Sequence, residues 1–76
     1  MTTKYYERIR EVREDFGLSQ TAVAKLLNVS QRTYSDYESG KTRIPLESVI
    51  ILARHYNLSM DYMTGVSSRM IPFPDN

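Results

Sequence analysis

The sequence has no cysteine and a single histidine, and its longest run of apolar residues covers only residues 49–53. The absence of cysteine excludes disulfide bonds and zinc sites of the cysteine type. A run of that length is far too short to cross a bilayer, and the first residues contain no apolar segment like that of a signal peptide. We therefore expect a cytoplasmic protein without a membrane segment, and we predict no metal ligands and no cofactor.

Signatures of catalysis are also missing. The sequence contains no glycine-rich phosphate loop, no cluster of metal ligands and no recognisable arrangement of serine, histidine and aspartate. His55 lies in an apolar segment, where a position at the edge of a core is more common than a role as ligand or base. Since short helices also leave little room for a closed pocket, we predict that the chain is not an enzyme and assign no catalytic residue.

The charge balance is nearly even, because ten basic residues face nine acidic ones among 76 residues, for a formal net charge of +1. This length indicates one small domain, which buries only about 60% of the surface of its unfolded chain. Residues 18–44 carry four basic and two acidic groups, a sum of +2, whereas residues 1–17 sum to 0 and residues 45–76 to −1. The positive excess lies in the central segment, but it is too small to indicate nucleic-acid binding by itself.

Apolar residues recur at helical spacing in three segments outside the centre of the chain. A first helix is predicted over residues 4–16, and most of its charged side chains are expected to face water. A fourth helix over Leu46–Tyr56 is apolar on nearly all sides, which predicts a position at the centre of a bundle or at a partner interface. A short fifth helix is predicted over residues 60–64, with Ser59 as its N-cap and Gly65 as its stop. The apolar stripes consist of Tyr5, Ile9, Val12 and Phe16 in the first helix and of Leu46, Val49, Ile50 and Ala53, widened by Ile51 and Leu52, in the fourth.

Two short helices joined by a tight corner are predicted in the centre, over about 20–27 and about 31–39. Ser19 and Ser30 precede them and are typical N-cap residues. Asn28 tolerates a left-handed backbone and suits the corner, and Gly40 ends the second helix. Val23, Leu26 and Leu27 mark the inward side of the first helix, and Tyr34 with Tyr37 or Glu38 marks that of the second.

The outward side of the second central helix carries Gln31, Arg32, Ser35 and Asp36. Their offsets place them in one strip, and all four side chains can form hydrogen bonds with base edges. A solvated helix face is polar in the same way. The strip alone therefore leaves both interpretations open.

The order of these features resembles the Cro/cI-type (XRE-like) helix-turn-helix family over roughly residues 9–65. The matching features are Gln20 at the start of a helix, the pair Val23-Ala24, the corner Asn28-Val29, the closing segment at residues 37–41 and the segments at residues 44–47 and 58–62. The resemblance implies an all-α, compact five-helix bundle of the lambda-repressor-like kind. It implies a sequence-specific, repressor-type regulator of transcription that places its third helix in the major groove of double-stranded DNA, and a bacterial or phage origin.

The resemblance also implies roles for individual residues. An arginine four residues before Gly17 pairs in the family with a glutamate near the end of the recognition helix, which here indicates a partly buried pair of Arg13 with Glu38. Leu46 stands where some members have an arginine that probes the minor groove, so we do not expect that contact here. The implied base contacts are Gln31, Arg32, Ser35 and Asp36, and the implied phosphate contacts are Gln20, Thr33, Lys41 and Arg43.

The domain is predicted over residues 1–65, followed by an irregular tail over residues 66–76. The tail has two prolines near its end but carries Met70, Ile71 and Phe73, so it packs back on the domain, contacts a second subunit or is a linker stub; we favour the first two together. Members of the family commonly bind as homodimers. The resemblance therefore implies a homodimer contact through the Leu46–Tyr56 helix, the fifth helix or this tail. The alternative function is a protein-interaction module of the same fold, such as an antitoxin or an adaptor.

Overall fold

Helices provide the regular structure of residues 4–74, the part of the chain that the computed structural model describes. The ends of the predicted domain and tail, residues 1–3 and 75–76, lie outside this part. Within it, the all-helical architecture confirms the predicted fold class. In chain order the helices are α1 (Tyr5–Asp15), α2 (Gln20–Leu27), α3 (Gln31–Ser39), α4 (Leu46–Tyr56) and α5 (Met60–Met63).

Serine side chains begin three of the helices, as predicted. The hydroxyl of Ser19 accepts a hydrogen bond from the amide of Ala22, and Ser30 and Ser59 do the same at α3 and α5. Each bond satisfies an amide that has no partner within its own helix. At the corner between α2 and α3, Asn28 adopts the predicted left-handed conformation with φ of 60°. The serine caps and the left-handed corner together fix where α3 begins relative to α2.

The core is built from the inward sides of α1 to α4, with Leu58 and Met63 closing one end. Three residues that we assigned to apolar stripes are instead exposed: Phe16 by 47%, Leu26 by 41% and Leu46 by 67%. Leu46 is the first residue of α4, and its side chain leans towards the N-terminus of the helix, where no preceding turn covers it. Phe16 follows the end of α1, and its ring contacts Tyr56 from outside at 4.7 Å between centroids.

The fourth helix is more one-sided than its sequence indicated. Its buried residues are Val49, Leu52, Ala53 and Tyr56, which recur at helical spacing, whereas Ile51 is 45% exposed. Of the two positions predicted for α4, the centre of the bundle is therefore wrong, and a partner interface stays a prediction. One face of α4 packs on the core, and the other leaves apolar side chains at the surface.

Arg8 on α1 is buried, with 6% of its surface exposed, although we expected this charge to face water. Its Nη1 donates to the carbonyl of Tyr62 at 2.7 Å and to that of Ser67 at 3.0 Å, and its guanidinium lies 4.1 Å from the centre of the Tyr62 ring. Its position three residues after Tyr5 and four before Val12 places it beside the apolar stripe, and this spacing was the signal that we missed.

The tail returns to the domain over residues 66–74. The carbonyl of Ile71 accepts from the amide of Ser59 at 2.7 Å, and the ring of Phe73 lies 5.3 Å from the guanidinium of Arg54. Phe73 is partly buried against the core, while Met70 and Ile71 are half-exposed. Arg8 therefore holds the start of a segment whose later residues also contact the domain.

We predict that Arg8→Ala lowers the free energy of unfolding by about 2–3 kcal/mol, because two carbonyl groups lose a charged donor. The measurement is urea denaturation followed by circular dichroism. Arg10→Ala is the matched control, since Arg10 is an exposed arginine of the same helix, and its effect is expected within about 0.5 kcal/mol. Equal effects of the two substitutions would contradict a structural role for Arg8.

Candidate nucleic-acid interface

The third helix has one buried and one accessible side. Tyr34, Tyr37 and Glu38 anchor it in the core. On the other side Gln31 and Arg32 are exposed, while the remaining two residues of the predicted strip, Ser35 and Asp36, are partly buried. The structure therefore places the four predicted base-contacting residues on one strip, and the beginning of the helix is its most accessible end.

Two glutamine side chains are joined at that accessible end. Nε2 of Gln31 donates to Oε1 of Gln20 at 2.6 Å, and Nε2 of Gln20 donates to Oε1 of Glu38 at 3.0 Å. Gln31 keeps its own carbonyl oxygen and a second N–H, which are the acceptor and donor that an adenine edge requires. The sequence indicated a role for each glutamine but not the bond between them, since that bond depends on how α2 and α3 pack.

Arg13 and Glu38 form an ion pair beneath this surface. Nε of Arg13 lies 2.6 Å from Oε2 of Glu38, and the side chains are 13% and 3% exposed. A second guanidinium nitrogen reaches Oε1 of Glu38 at 3.2 Å, and a third donates to the carbonyl of Leu18 at 2.8 Å. The pair joins α1 to α3 and to the turn before α2.

The environment of Glu38 keeps its carboxylate charged. Burial by itself raises the pKa of Glu38, but the hydrogen bond from Arg13, the nearby hydroxyl of Tyr34 and the hydrogen bond from Gln20 together outweigh burial, and the pKa lies below its ordinary value. Two tyrosine hydroxyls nearby in the core, those of Tyr34 and Tyr56, have no hydrogen-bond partner among residues 4–74. Burial raises the pKa of Tyr56 to about 12, so this hydroxyl stays neutral. Arg13 therefore supplies the charge that compensates Glu38.

The loop between α3 and α4 carries the predicted phosphate contacts Lys41 and Arg43, and both are exposed. The amides of Lys41 and Thr42 donate to the carbonyl of Asp36 at 3.0 and 3.2 Å, which fastens the loop to the last turn of α3. Ile44 anchors the other end of the loop in the core with 8% exposure. The two cations thus extend from a loop that is fixed at both ends.

Thr33 and Gln20, the other two predicted phosphate contacts, lie near the starts of α3 and α2. The hydroxyl of Thr33 accepts from the hydroxyl of Ser30 at 2.9 Å and keeps its own hydrogen for another acceptor. Gln20 is the first residue of α2 and keeps one N–H beyond its bond with Glu38. Both side chains are partly buried, so each has less freedom than the loop cations.

Sequence reasoning missed Tyr6, whose ring contacts the backbone of Gly40 at the start of the same loop. The signal was present, because Tyr6 precedes Arg13 by seven residues and therefore lies on the same face of α1. In the part of the chain that is described, no group of three acidic, histidine or cysteine residues could hold a metal ion. No helix in that part is both long enough and apolar enough to span a membrane.

Two packed helices joined by a left-handed corner, the second presenting polar side chains to solvent, define a helix-turn-helix domain. A family described as helix-turn-helix matches residues 9–63. The chain belongs to this family in its Cro/cI-type form, as the resemblance predicted.

Most of the related proteins carry the names of regulators, and one, PezA of Streptococcus pneumoniae, which is 25% identical over 69 residues, carries the name of an antitoxin. YobD of Bacillus subtilis, an uncharacterized helix-turn-helix transcriptional regulator, is 32% identical over 63 residues, which are 83% of this chain and 56% of that protein. A transcriptional regulator from Listeria innocua has a crystal structure with a TM-score of 0.78 and 34% identity, covering 86% of this chain and 61% of that one. The P22 c2 repressor, crystallised in complex with a synthetic operator, has a TM-score of 0.75 and 29% identity, covering 87% of this chain and 100% of that one.

The chain spans about half the length of the Bacillus subtilis relatives and less than a fifth of the length of the archaeal relatives that it matches. Those relatives are regulators that share the helix-turn-helix fold, and this supports the prediction that the chain is not an enzyme.

We predict that Arg13→Ala lowers the free energy of unfolding by about 3 kcal/mol, because it leaves the carboxylate of Glu38 buried without its cation. Chemical denaturation near neutral pH measures the effect. Lys25→Ala, which removes an exposed cation from α2, is the control and is expected to stay within about 0.5 kcal/mol of wild type. A loss for Arg13→Ala no larger than that of the control would mean that the ion pair contributes nothing to stability.

The free energy of unfolding is also expected to depend on pH through the protonation of Glu38. The pKa of Glu38 is lowered on folding, so its contribution is complete above the ordinary value of 4.5 and is lost as the pH falls through the folded-state pKa. In denaturation series between about pH 6 and about pH 3, Glu38→Gln is expected to flatten the decline. Glu47→Gln, which removes an exposed carboxylate from α4, should keep the wild-type slope. Parallel curves for wild type and Glu38→Gln would rule out this linkage.

Proposed function

We propose that the chain is a sequence-specific, double-stranded DNA-binding regulator of transcription, of the repressor type, that inserts α3 into the major groove. The observation that carries the proposal is the edge of Gln31, which keeps one free acceptor and one free donor while Gln20 holds its amide. A side chain already fixed by a neighbour loses less conformational freedom on binding. The P22 c2 repressor, which is seen with an operator, has the same fold and supports this choice of ligand.

The residues of the strip take complementary parts in this proposal. Gln31 would pair with an adenine through N6 and N7, and Arg32 with a guanine or a phosphate. Asp36 would accept from cytosine N4 or disfavour a wrong register, and Ser35 would adapt to either kind of group. Phosphates would be contacted by Gln20, Thr33, Lys41 and Arg43, which position the domain without selecting a sequence.

A homodimer on a pseudo-palindromic operator completes the proposal. One domain of this size reads only a few base pairs, and two-fold related copies read half-sites about one helical turn apart. The candidate contact surfaces are the outer face of α4, α5 and the tail, where Leu46, Ile51, Met70 and Ile71 are exposed. Phe73 packs on the core of its own domain and is a weaker candidate than Met70 or Ile71. A protein with this activity would act in the cytoplasm, on the nucleoid, of a bacterium or a phage host.

The alternative, a protein-interaction module of the same fold, is less favoured. An adaptor could use the exposed apolar residues of α4 and the tail, but it has no need for the polar strip of α3 followed by a loop with two cations. The bond between Gln20 and Gln31 also favours the DNA-binding function over the adaptor, because it orients the hydrogen-bonding edge of Gln31 towards solvent.

Selection of bound sequences from a pool of random duplexes tests the proposal. Wild type is expected to enrich a two-fold symmetric site with adenine at one position of each half-site. Gln31→Ala should lose the preference at that position and weaken binding by about 1–3 kcal/mol per half-site. Gln20→Ala should weaken the same preference less, because Gln31 keeps its own edge and loses only the support of its amide. The loss of the proposed phosphate contact of Gln20 should lower the affinity for all duplexes alike.

Asp15→Ala, a change at an exposed residue at the end of α1, is the control and should select the wild-type site. If wild type enriches no site, or if Gln31→Ala selects the same site equally well, direct readout by this strip is wrong and a protein partner becomes the better candidate.

A further inference from the structure

The first turn of α1 lies against the loop that carries the two exposed cations. Gly40 has φ of 78°, and a Cβ atom built on it would lie 2.9 Å from Cε2 and Cζ of the Tyr6 ring. Those distances are too short for a real Cβ, so only glycine lets the ring pack so closely on this backbone. The phenol oxygen is bonded to Cζ and therefore lies beside Gly40, next to Lys41 in the chain.

Tyr6 is partly buried, and within residues 4–74 its hydroxyl donates to no other group. A phenol in this state is an available donor and acceptor. The ring is held in place from two sides, by the Gly40 backbone and by the edge-on ring of Tyr5, whose centroid lies 5.4 Å away. The hydroxyl is consequently presented at a fixed position beside the loop.

A third cation, that of Lys4, also lies near the Tyr6 ring. Nζ of Lys4 lies 5.9 Å from the centre of the Tyr6 ring, and Lys4 is exposed. The Tyr6 ring therefore lies near both this ammonium group and the backbone of Gly40, which directly precedes Lys41. Glu7 is the acidic neighbour, and its carboxylate accepts from the backbone amide of Lys4 at 3.3 Å at the start of α1.

We propose that Lys4 and Tyr6 form a second phosphate-contact surface that continues the α3–α4 loop onto α1. The Tyr6 hydroxyl would donate to a phosphate oxygen, and the Lys4 ammonium would neutralise the same or the adjacent phosphate. Tyrosine hydroxyls and lysine ammonium groups are both common donors to the DNA backbone. The inference rests on the proposed DNA binding and extends its footprint to residues that precede the segment matched by the family.

The two side chains contribute in ways that experiments can separate. A lysine that neutralises a phosphate releases a counterion, so its loss changes the salt dependence of binding. A neutral hydroxyl that donates to a phosphate contributes affinity without releasing a counterion. A purely structural Tyr6 would act through its ring on Gly40, and that role survives the loss of the hydroxyl.

The test measures binding to the selected duplex across a salt series. For Lys4→Gln we expect the slope of log K against log salt to become shallower by about 0.9 per bound protomer. For Tyr6→Phe we expect roughly tenfold weaker binding per protomer with an unchanged slope, because only an uncharged donor is lost. Thermal unfolding of each variant checks that the ring still packs on Gly40.

Two matched controls accompany these variants. Tyr5→Phe removes the hydroxyl of the neighbouring tyrosine, and Lys25→Gln removes an exposed cation of α2 to which no DNA contact is assigned. Both controls should bind as wild type does.

The outcomes distinguish this inference from the function on which it rests. Failure of wild type to bind any duplex would overturn the proposed function itself. If wild type binds and Gln31→Ala loses selectivity, while Lys4→Gln keeps the wild-type slope and Tyr6→Phe keeps the wild-type affinity, the phosphate surface on α1 is wrong. Weak binding by Tyr6→Ala together with normal binding by Tyr6→Phe would also overturn it, since Tyr6 would then serve only as a support for the loop.

Discussion

The buried carboxylate of Glu38 is the constraint on which the arrangement of the first three helices depends. A charge with 3% exposure is costly unless it is paired and fully hydrogen-bonded. Arg13 supplies the pairing charge from α1, and Gln20 supplies a further donor from the first position of α2. Any large rotation of α3 would leave this carboxylate without partners. The ion pair therefore selects one orientation of α3 among the several that apolar packing alone would allow.

The same carboxylate is connected to the surface of the domain. From Arg13 the hydrogen bonds run through Glu38 and Gln20 to Gln31, which is exposed at the start of α3. Each bond restricts the rotamers of the next side chain, so Gln31 is held by a network that begins in the core. A side chain held in this way presents its edge with little loss of entropy, which is what discrimination between bases requires.

Much of this arrangement could be predicted from the sequence, because it depends on local chemistry. Serine caps and left-handed Asn28 fix the helix bounds, and the resemblance to a known family implied the pair of Arg13 with Glu38. Periodicity indicates which side of a helix is apolar but not whether a neighbour covers it, and Leu46 was assigned wrongly for this reason. The bond between Gln20 and Gln31 and the burial of Arg8 depend on distances between helices, which spacing along one helix does not contain.

The two residues whose contacts sequence reasoning missed both belong to α1. Tyr6 and Arg8 lie two residues apart on α1, so their side chains point to nearly opposite sides of the helix. Tyr6 contacts the loop that follows α3, whereas Arg8 holds the carbonyls of Tyr62 and Ser67 at the start of the tail. Both precede the segment matched by the family. The first turns of α1 thus connect the loop that follows α3 to the C-terminal segment, and a shift of α1 that strains one contact also strains the other.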